Sequence, residues 1–260
     1  MHLTDLHWGL EGQACLWPTL RQPFFEDLAR VLERTGPVDA VLFTGDLGQS
    51  GKSEQFEALK VGFLDRLWAR LGELGSGEAV LLAVPGNHDL NRAMKRSAAL
   101  DMLRMREGFG HIGEDFWRDP GCDYRLVVRD AFGAYSQWWE GETRRPPLTA
   151  GALPGDFACT LRAGEHRVGI VGLNTTFLQL SAGDHKERLA WHPTQVHQAC
   201  GDAGDWCDHH ELRLLLTHQG PSWLSPAARM LGEGGIWRLR EAPATLAACE
   251  AALQGTASTG

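Results

Sequence analysis

Three short segments of this chain carry side chains of the kinds that hold divalent metal ions. Asp5-Leu6-His7 lies near the start, Gly45-Asp46-Leu47 follows an apolar run, and Gly86-Asn87-His88-Asp89 follows another. Carboxylate oxygens, imidazole nitrogens and an amide oxygen form a mixed O/N donor set suited to first-row divalent ions. One carboxylate has two oxygens and can bridge two ions. Two ions about 3.5–4 Å apart can activate water and clamp an in-line displacement at phosphorus. An imidazole left off the metals can protonate the leaving oxygen. The segments differ in specificity. Asp-x-His is a near-chance triplet and recurs as Asp208-His209-His210. Gly-Asn-His-Asp is rare in a chain with three asparagines; chance supplies roughly 0.001 occurrences.

These residues need elements to position them. Val38–Thr44 reads as a buried strand ending at Gly45, and Ala79–Val84 as another ending at Pro85-Gly86. Val168–Leu173 and Leu212–Thr217 read the same way. Phe157–Leu161 and Arg167–Leu173 flank Ala163-Gly164-Glu165, a hairpin turn. Over residues 54–74, Phe56, Leu59, Phe63, Leu67, Leu71 and Leu74 recur at helical spacing. Pro23–Arg34 and residues 92–107 and 124–140 are also predicted helical. Strands alternating with helices imply an α/β fold. Open α/β sheets gather ligands at the carboxyl ends of strands, which would bring Asp5, His7, Asp46, Asn87 and His88 together. Residues 108–155, rich in Trp, Arg, Gly and Pro, read as a helical or irregular insertion that either caps the site or packs on its own aromatics.

Composition sets the frame. The 260 residues fit a single domain, 43% hydrophobic and 22% charged, which excludes a disordered chain or a fibre. A formal charge of −8 gives no electrostatic drive toward long polyanions. No apolar run approaches the roughly 18 residues of a membrane helix. The N-terminal segment has neither basic nor apolar leader character. Six scattered cysteines then predict free thiols and a cytoplasmic location.

With its motifs Asp5-Leu-His7, Gly45-Asp46-Leu-Gly-Gln-Ser-Gly51, Gly86-Asn87-His88-Asp89 and Leu212–His218, the sequence resembles the calcineurin-like metallophosphoesterases, bacterial type, from residue 3 to about 225. Leu153-Pro-Gly-Asp-Phe157 and Gly169–Asn174 are similar to bacterial members but less diagnostic. The resemblance implies a four-layer α/β/β/α sandwich and a hydrolase of phosphomonoesters or phosphodiesters, using a bridging hydroxide activated by two divalent ions (Mn, Fe, Zn, Mg or Ni). Asp5 and His7 would bind the first ion and Asp46 would bridge. Asn87 and His218 would bind the second, with Asn87 also touching phosphate. His88 would contact substrate and donate the proton, oriented by Asp89. The family usually closes its site with a late Gly-His-x-His, and no histidine follows His218 here. That departure, the short start before Asp5 and the atypical tail at 229–260 (with an Ala-rich helix expected at Ala244–Leu253) predict a chain incomplete at both termini, or a weakened site. Further domains outside the chain would then complete it.

Two other function classes follow from the same residues. One is a non-catalytic binding or regulatory module of the same fold. The other is an NTP-binding protein, because Gly45–Ser53 nearly spells a phosphate loop with Lys52, although its spacing departs from that motif. Nucleotides, nucleic-acid ends, phosphoproteins and small phosphoesters stay open as substrates. Cys200-x₆-Cys207-Asp208-His209-His210 reads as a polar loop rather than a zinc knuckle. His111 and His185 default to surface histidines, Trp117, Trp138 and Trp139 to packing, and Arg144-Arg145 to a solvated pair.

Overall fold

The computed structural model of the chain describes residues 1–105 and 108–233. Its elements run β1 (His2–Leu3), α1 (Gln13–Thr35), β2 (Ala40–Thr44), α2 (Ser53–Leu59), a π-helical turn (Lys60–Leu64), α3 (Asp65–Glu73), β3 (Val80–Val84), α4 (Ala98–Arg104), α5 (Gly108–Arg118), α6 (Asp123–Ala131), α7 (Gly133–Glu140), β4 (Thr149–Ala150), β5 (Phe157–Ala163), β6 (His166–Gly172), α8 (Pro193–Cys200), α9 (Ala203–Asp208), β7 (Leu212–Leu216) and α10 (Pro226–Glu233). The strands form a parallel sheet β1-β2-β3 and a mixed sheet β4-β5-β6-β7.

Alternation along the strands builds the layers. Leu42, Leu82 and Val84 of the first sheet meet Phe157, Cys159, Ile170, Leu214 and Leu216 of the second in one apolar cluster. Their neighbours point the other way. Val41, Phe43, Leu81 and Ala83 pack on Leu32, Phe56, Leu59, Leu67, Leu71, Tyr135 and Trp139 of the helices outside the first sheet. Ala158 and Val171 pack on Leu100, Phe116, Val128 and Val196 outside the second. Period-two strands buried on both faces therefore give helix, sheet, sheet, helix, the α/β sandwich expected.

Several boundaries differ from the sequence reading. Helix α1 starts ten residues before Pro23 and runs through Pro18 and Pro23. Trp17, at ring separations of 5.9 Å from Trp8, 6.0 Å from Phe24 and 5.4 Å from Phe63, anchors its first half. The helix expected at 92–107 is cut to α4, because the Asn91 side chain accepts the Ala93 N–H and Ser97 caps from Leu100 N–H. The helix expected at 124–140 breaks at Phe132 into α6 and α7. Residues 108–140 are largely helical and join the outer layers. The polar loop expected before Leu212 contains α9. The π turn has a local cause: a Cβ at Gly62 would collide with the Trp8 ring, and Trp17 Nε1 donates to Gly62 O at 3.3 Å. The arginine pair is not solvated. Arg144 lies over Trp68 and donates to Gly77 O at 2.7 Å, while Arg145 lies over Trp139. Trp117 and Trp139 are buried in packing, as expected. The tail from 234, with the helix expected at Ala244–Leu253, lies outside the described residues. No helix among the described residues is long and apolar enough to cross a membrane.

Candidate metal centre

The loops after β1, β2 and β3 and the end of β7 meet at one pole. Parallel pairing of β1, β2 and β3 brings their carboxyl ends together. Asp5 N–H donates to Gly45 O at 3.1 Å and His7 N–H to Asp46 O at 2.8 Å, so the first loop is zipped onto the second. His88 N–H donates to Asp46 Oδ1 at 2.8 Å, which ties in the third. Four non-glycine residues among those described have positive φ: Asp5, His7, Asp46 and Glu187. Three are expected ligands. Such backbone costs about 1–3 kcal/mol per residue and persists where surrounding contacts enforce it, commonly at functional sites. Gly45 and Gly86 permit the approach. A Cβ at Gly45 would lie 2.6 Å from His218 Nδ1, and one at Gly86 would collide with the Asp46 carboxylate.

Asp46 sits at the centre, its side chain 4% exposed. Its Oδ2 lies 3.6 Å from His7 Nε2 and 3.5 Å from His218 Nε2. His7 Nε2 is also 3.7 Å from Asp5 Oδ1. His7, Asp46 and His88 form one group of ligand atoms within 4.8 Å of one another; Asp5, Asp46 and His218 form a second.

The hydrogen bonds fix which ring nitrogens are free. His218 Nδ1 sits 2.7 Å from Thr44 O. A carbonyl only accepts, so Nδ1 carries the hydrogen and Nε2 of the neutral ring presents a lone pair. His7 Nδ1, 3.0 Å from Gln49 Oε1, leaves its Nε2 bare in the same way. His218 Nε2 then faces Asn87 Oδ1 at 3.2 Å, two acceptors turned toward each other. A proton on Nε2 or a cation between the two would satisfy both. Gln219 Nε2 donates to the same Asn87 oxygen at 3.2 Å. The donor set therefore fits divalent ions: Asp5, His7 and Asp46 on one side, Asp46, Asn87 and His218 on the other.

The residue model that matches this chain is that of the calcineurin-like phosphoesterases, over residues 1–224. The chain belongs to the calcineurin-like phosphoesterase family. A search of curated proteins found no significant match. The general class is thus a metal-dependent phosphoester hydrolase, with Asp and His side chains placed as candidate ligands.

His88 and Asp89 occupy different positions in this loop. The His88 ring lies edge-on to His7, 4.7 Å between centroids, with Nδ1 2.9 Å from Gln49 O. Asp89 is fully buried beneath the loops and accepts Gly48 N–H and Gly86 N–H, both at 2.8 Å. Burial pushes its carboxyl up to about 7, against the pull of those N–H donors. Asp89 thus holds the second and third loops together, and the ring bond of His88 comes from Gln49.

Gln49, Gln219, Thr44 and Arg92 were not singled out from sequence. Arg92 donates to Asn87 O at 2.7 Å and to Gln179 O at 3.0 Å. A polar residue directly after a ligand, as Gln219 follows His218, was the only local sign. Lys52 is exposed, and the first position of its would-be phosphate loop is the buried Asp46 carboxylate, which repels phosphate unless cations intervene. His185 Nε2 lies 2.9 Å from Ser181 O. The side chain of His111 lies outside the described set. Cys200 and Cys207 fall in no group of metal-ligand side chains among the described residues.

Proposed function

We propose that this chain hydrolyses a phosphomonoester or phosphodiester, holding two divalent ions with Asp46 as the shared ligand. The observation that carries the reading is the Asp46 carboxylate set between two imidazole Nε2 atoms at 3.6 and 3.5 Å. Divalent ions there would supply the positive charge that activates water and neutralises phosphoryl oxygens. The chain's own groups do the rest. Asp5, His7 and Asp46 hold one side, and Asp46, Asn87 and His218 the other. The Asp46–His88 N–H bond keeps the third loop against the ligands. His88 gives the proton to the leaving oxygen. Its Nδ1–H is held by Gln49 O, so the acid form is the imidazolium, with the transferable proton on Nε2. The substrate stays at the level of a phosphoester.

The test is turnover of p-nitrophenyl phosphate and bis-p-nitrophenyl phosphate by the chelator-stripped chain, with Mn²⁺, Mg²⁺, Ni²⁺ or Zn²⁺ added back. Metal-dependent turnover that vanishes in Asp46→Asn is expected. No turnover with any metal from folded protein would sink the catalytic reading in favour of a binding module.

A second role for His88 has a specific observation behind it, its grouping with His7 and Asp46. As a further ligand it would join His7 and Asp46 on the first side. His88→Ala separates the two. A proton donor's loss spares metal uptake and lowers turnover by roughly 10²–10⁴-fold, most on an alkyl leaving group. A ligand's loss weakens metal uptake itself.

A further inference from the structure

Beside the candidate ligands lies a second polar construction. Arg92 is half-buried, and its guanidinium spans two loops, with Nε–H on Gln179 O at 3.0 Å and an Nη2–H on Asn87 O at 2.7 Å. Arg104, from α4, backs it: Nε–H donates to Leu180 O at 3.1 Å and Nη2–H to Arg92 O at 3.4 Å. The segment 174–180 reaches Asn87 by a second route. Thr175 Oγ1 donates to Gln219 O at 3.2 Å and accepts Gln219 N–H at 3.1 Å, and Gln219 Nε2 holds Asn87 Oδ1. The segment itself is rigidly seated, with Asn174, Thr175, Thr176 and Gln179 all buried.

We propose that Arg92 is a positioning residue that clamps Asn87 to the segment 174–180 and so sets the side of the pole formed by Asn87 and His218. This rests on the two-ion reading above. A guanidinium is a planar fork whose donors point in fixed directions, so it can hold two carbonyls at a set separation; an ammonium is a point charge and cannot. Bonds from a charged donor are about twice as strong as neutral ones. The Asn87 carbonyl and its side-chain oxygen belong to one residue. A turn of that peptide shifts Oδ1 against His218 Nε2, now 3.2 Å away. Losing an outer partner of this kind commonly costs about 10–100-fold in metal affinity.

The test is calorimetric titration with Mn²⁺ of the chelator-stripped chain, its Arg92→Ala and Arg92→Lys variants, and Arg96→Ala as a control from an exposed ion pair. The step that His218→Ala removes marks the Asn87–His218 side. Arg92→Ala should weaken that step about 10–100-fold and leave the other nearly unchanged, with Arg92→Lys intermediate. In turnover of p-nitrophenyl phosphate, kcat should fall and return with excess metal, with KM unaltered. Arg92→Lys keeps the test alive if Arg92→Ala does not fold. Two unchanged steps, or two steps weakened equally, overturn the inference alone. A wild-type chain that takes up fewer than two ions overturns the two-ion reading and this inference with it.

Discussion

The two sides of the candidate metal pole are built to different standards. On the Asp5–His7 side the candidate ligand side chains are 52% and 27% exposed, and they hang from the end of a two-residue strand. Here Gln49 is the side chain that steadies His7. On the Asn87–His218 side, His218 is 8% exposed. Its ring is fixed by Thr44 O, and Asn87 is held by Gln219 and Arg92. Enclosed donors with locked orientation lose less freedom when they take up a cation. The second side is therefore the more preorganised one, and the first is the side more open to solvent.

The largest expected effect removes the contrast altogether. Gly86→Ala drives a methyl group into the Asp46 carboxylate shared by both sides. Metal uptake on both sides should be lost, with destabilisation of about 1–3 kcal/mol; metal titration and thermal melting check this. Next, the contrast predicts an order of uptake. His218→Ala should remove the tighter step of a Mn²⁺ titration and Asp5→Asn the weaker, and the reverse order would break the comparison. A smaller effect is expected for Gln49→Ala, which frees the His7 ring: roughly tenfold weaker binding on the open side, read in the same titration.

A separate effect bears on stability rather than on metal uptake. Asp156, just before β5, is buried and accepts from Leu153 N, Asn174 N and Gln195 Nε2. Burial pushes its carboxyl up to about 7, as it does for Asp89. A folded-state pKa raised from 3.8 means the native chain keeps protons that the unfolded chain releases. Stability should then be full below about pH 4 for these groups and fall as pH rises toward 7, by at most about 1.4 kcal/mol per pH unit for each. Urea midpoints of the metal-free chain between pH 4 and 8 measure this. Asp156→Asn should flatten its own share of the slope and leave that of Asp89.

The strands show what periodicity carries. Leu82 and Val84 alternate with Leu81 and Ala83, so both faces of β3 could be assigned from order alone. Helix ends were harder. Asn91 and Ser97 shorten α4 through side-chain bonds to nearby backbone, and Trp17 extends α1 through two prolines by aromatic packing with residues as far along the chain as Phe63. Such contacts leave no repeating pattern.

For the site, sequence alone determined the candidates. Asp5, His7, Asp46, Asn87 and His88 were named by residue type and by their places after apolar strands, because a β-strand's end is a local property and parallel sheets align those ends; His218 was added by the resemblance to the calcineurin-like family. Only the tertiary structure decided how the donors are held. Thr44 and His218 are 174 positions apart, and Asn87 and His218 are 131. The clamp of Arg92, the ring tautomers and the burial of Asp89 come from loops meeting across two sheets, where side-chain direction is set by packing.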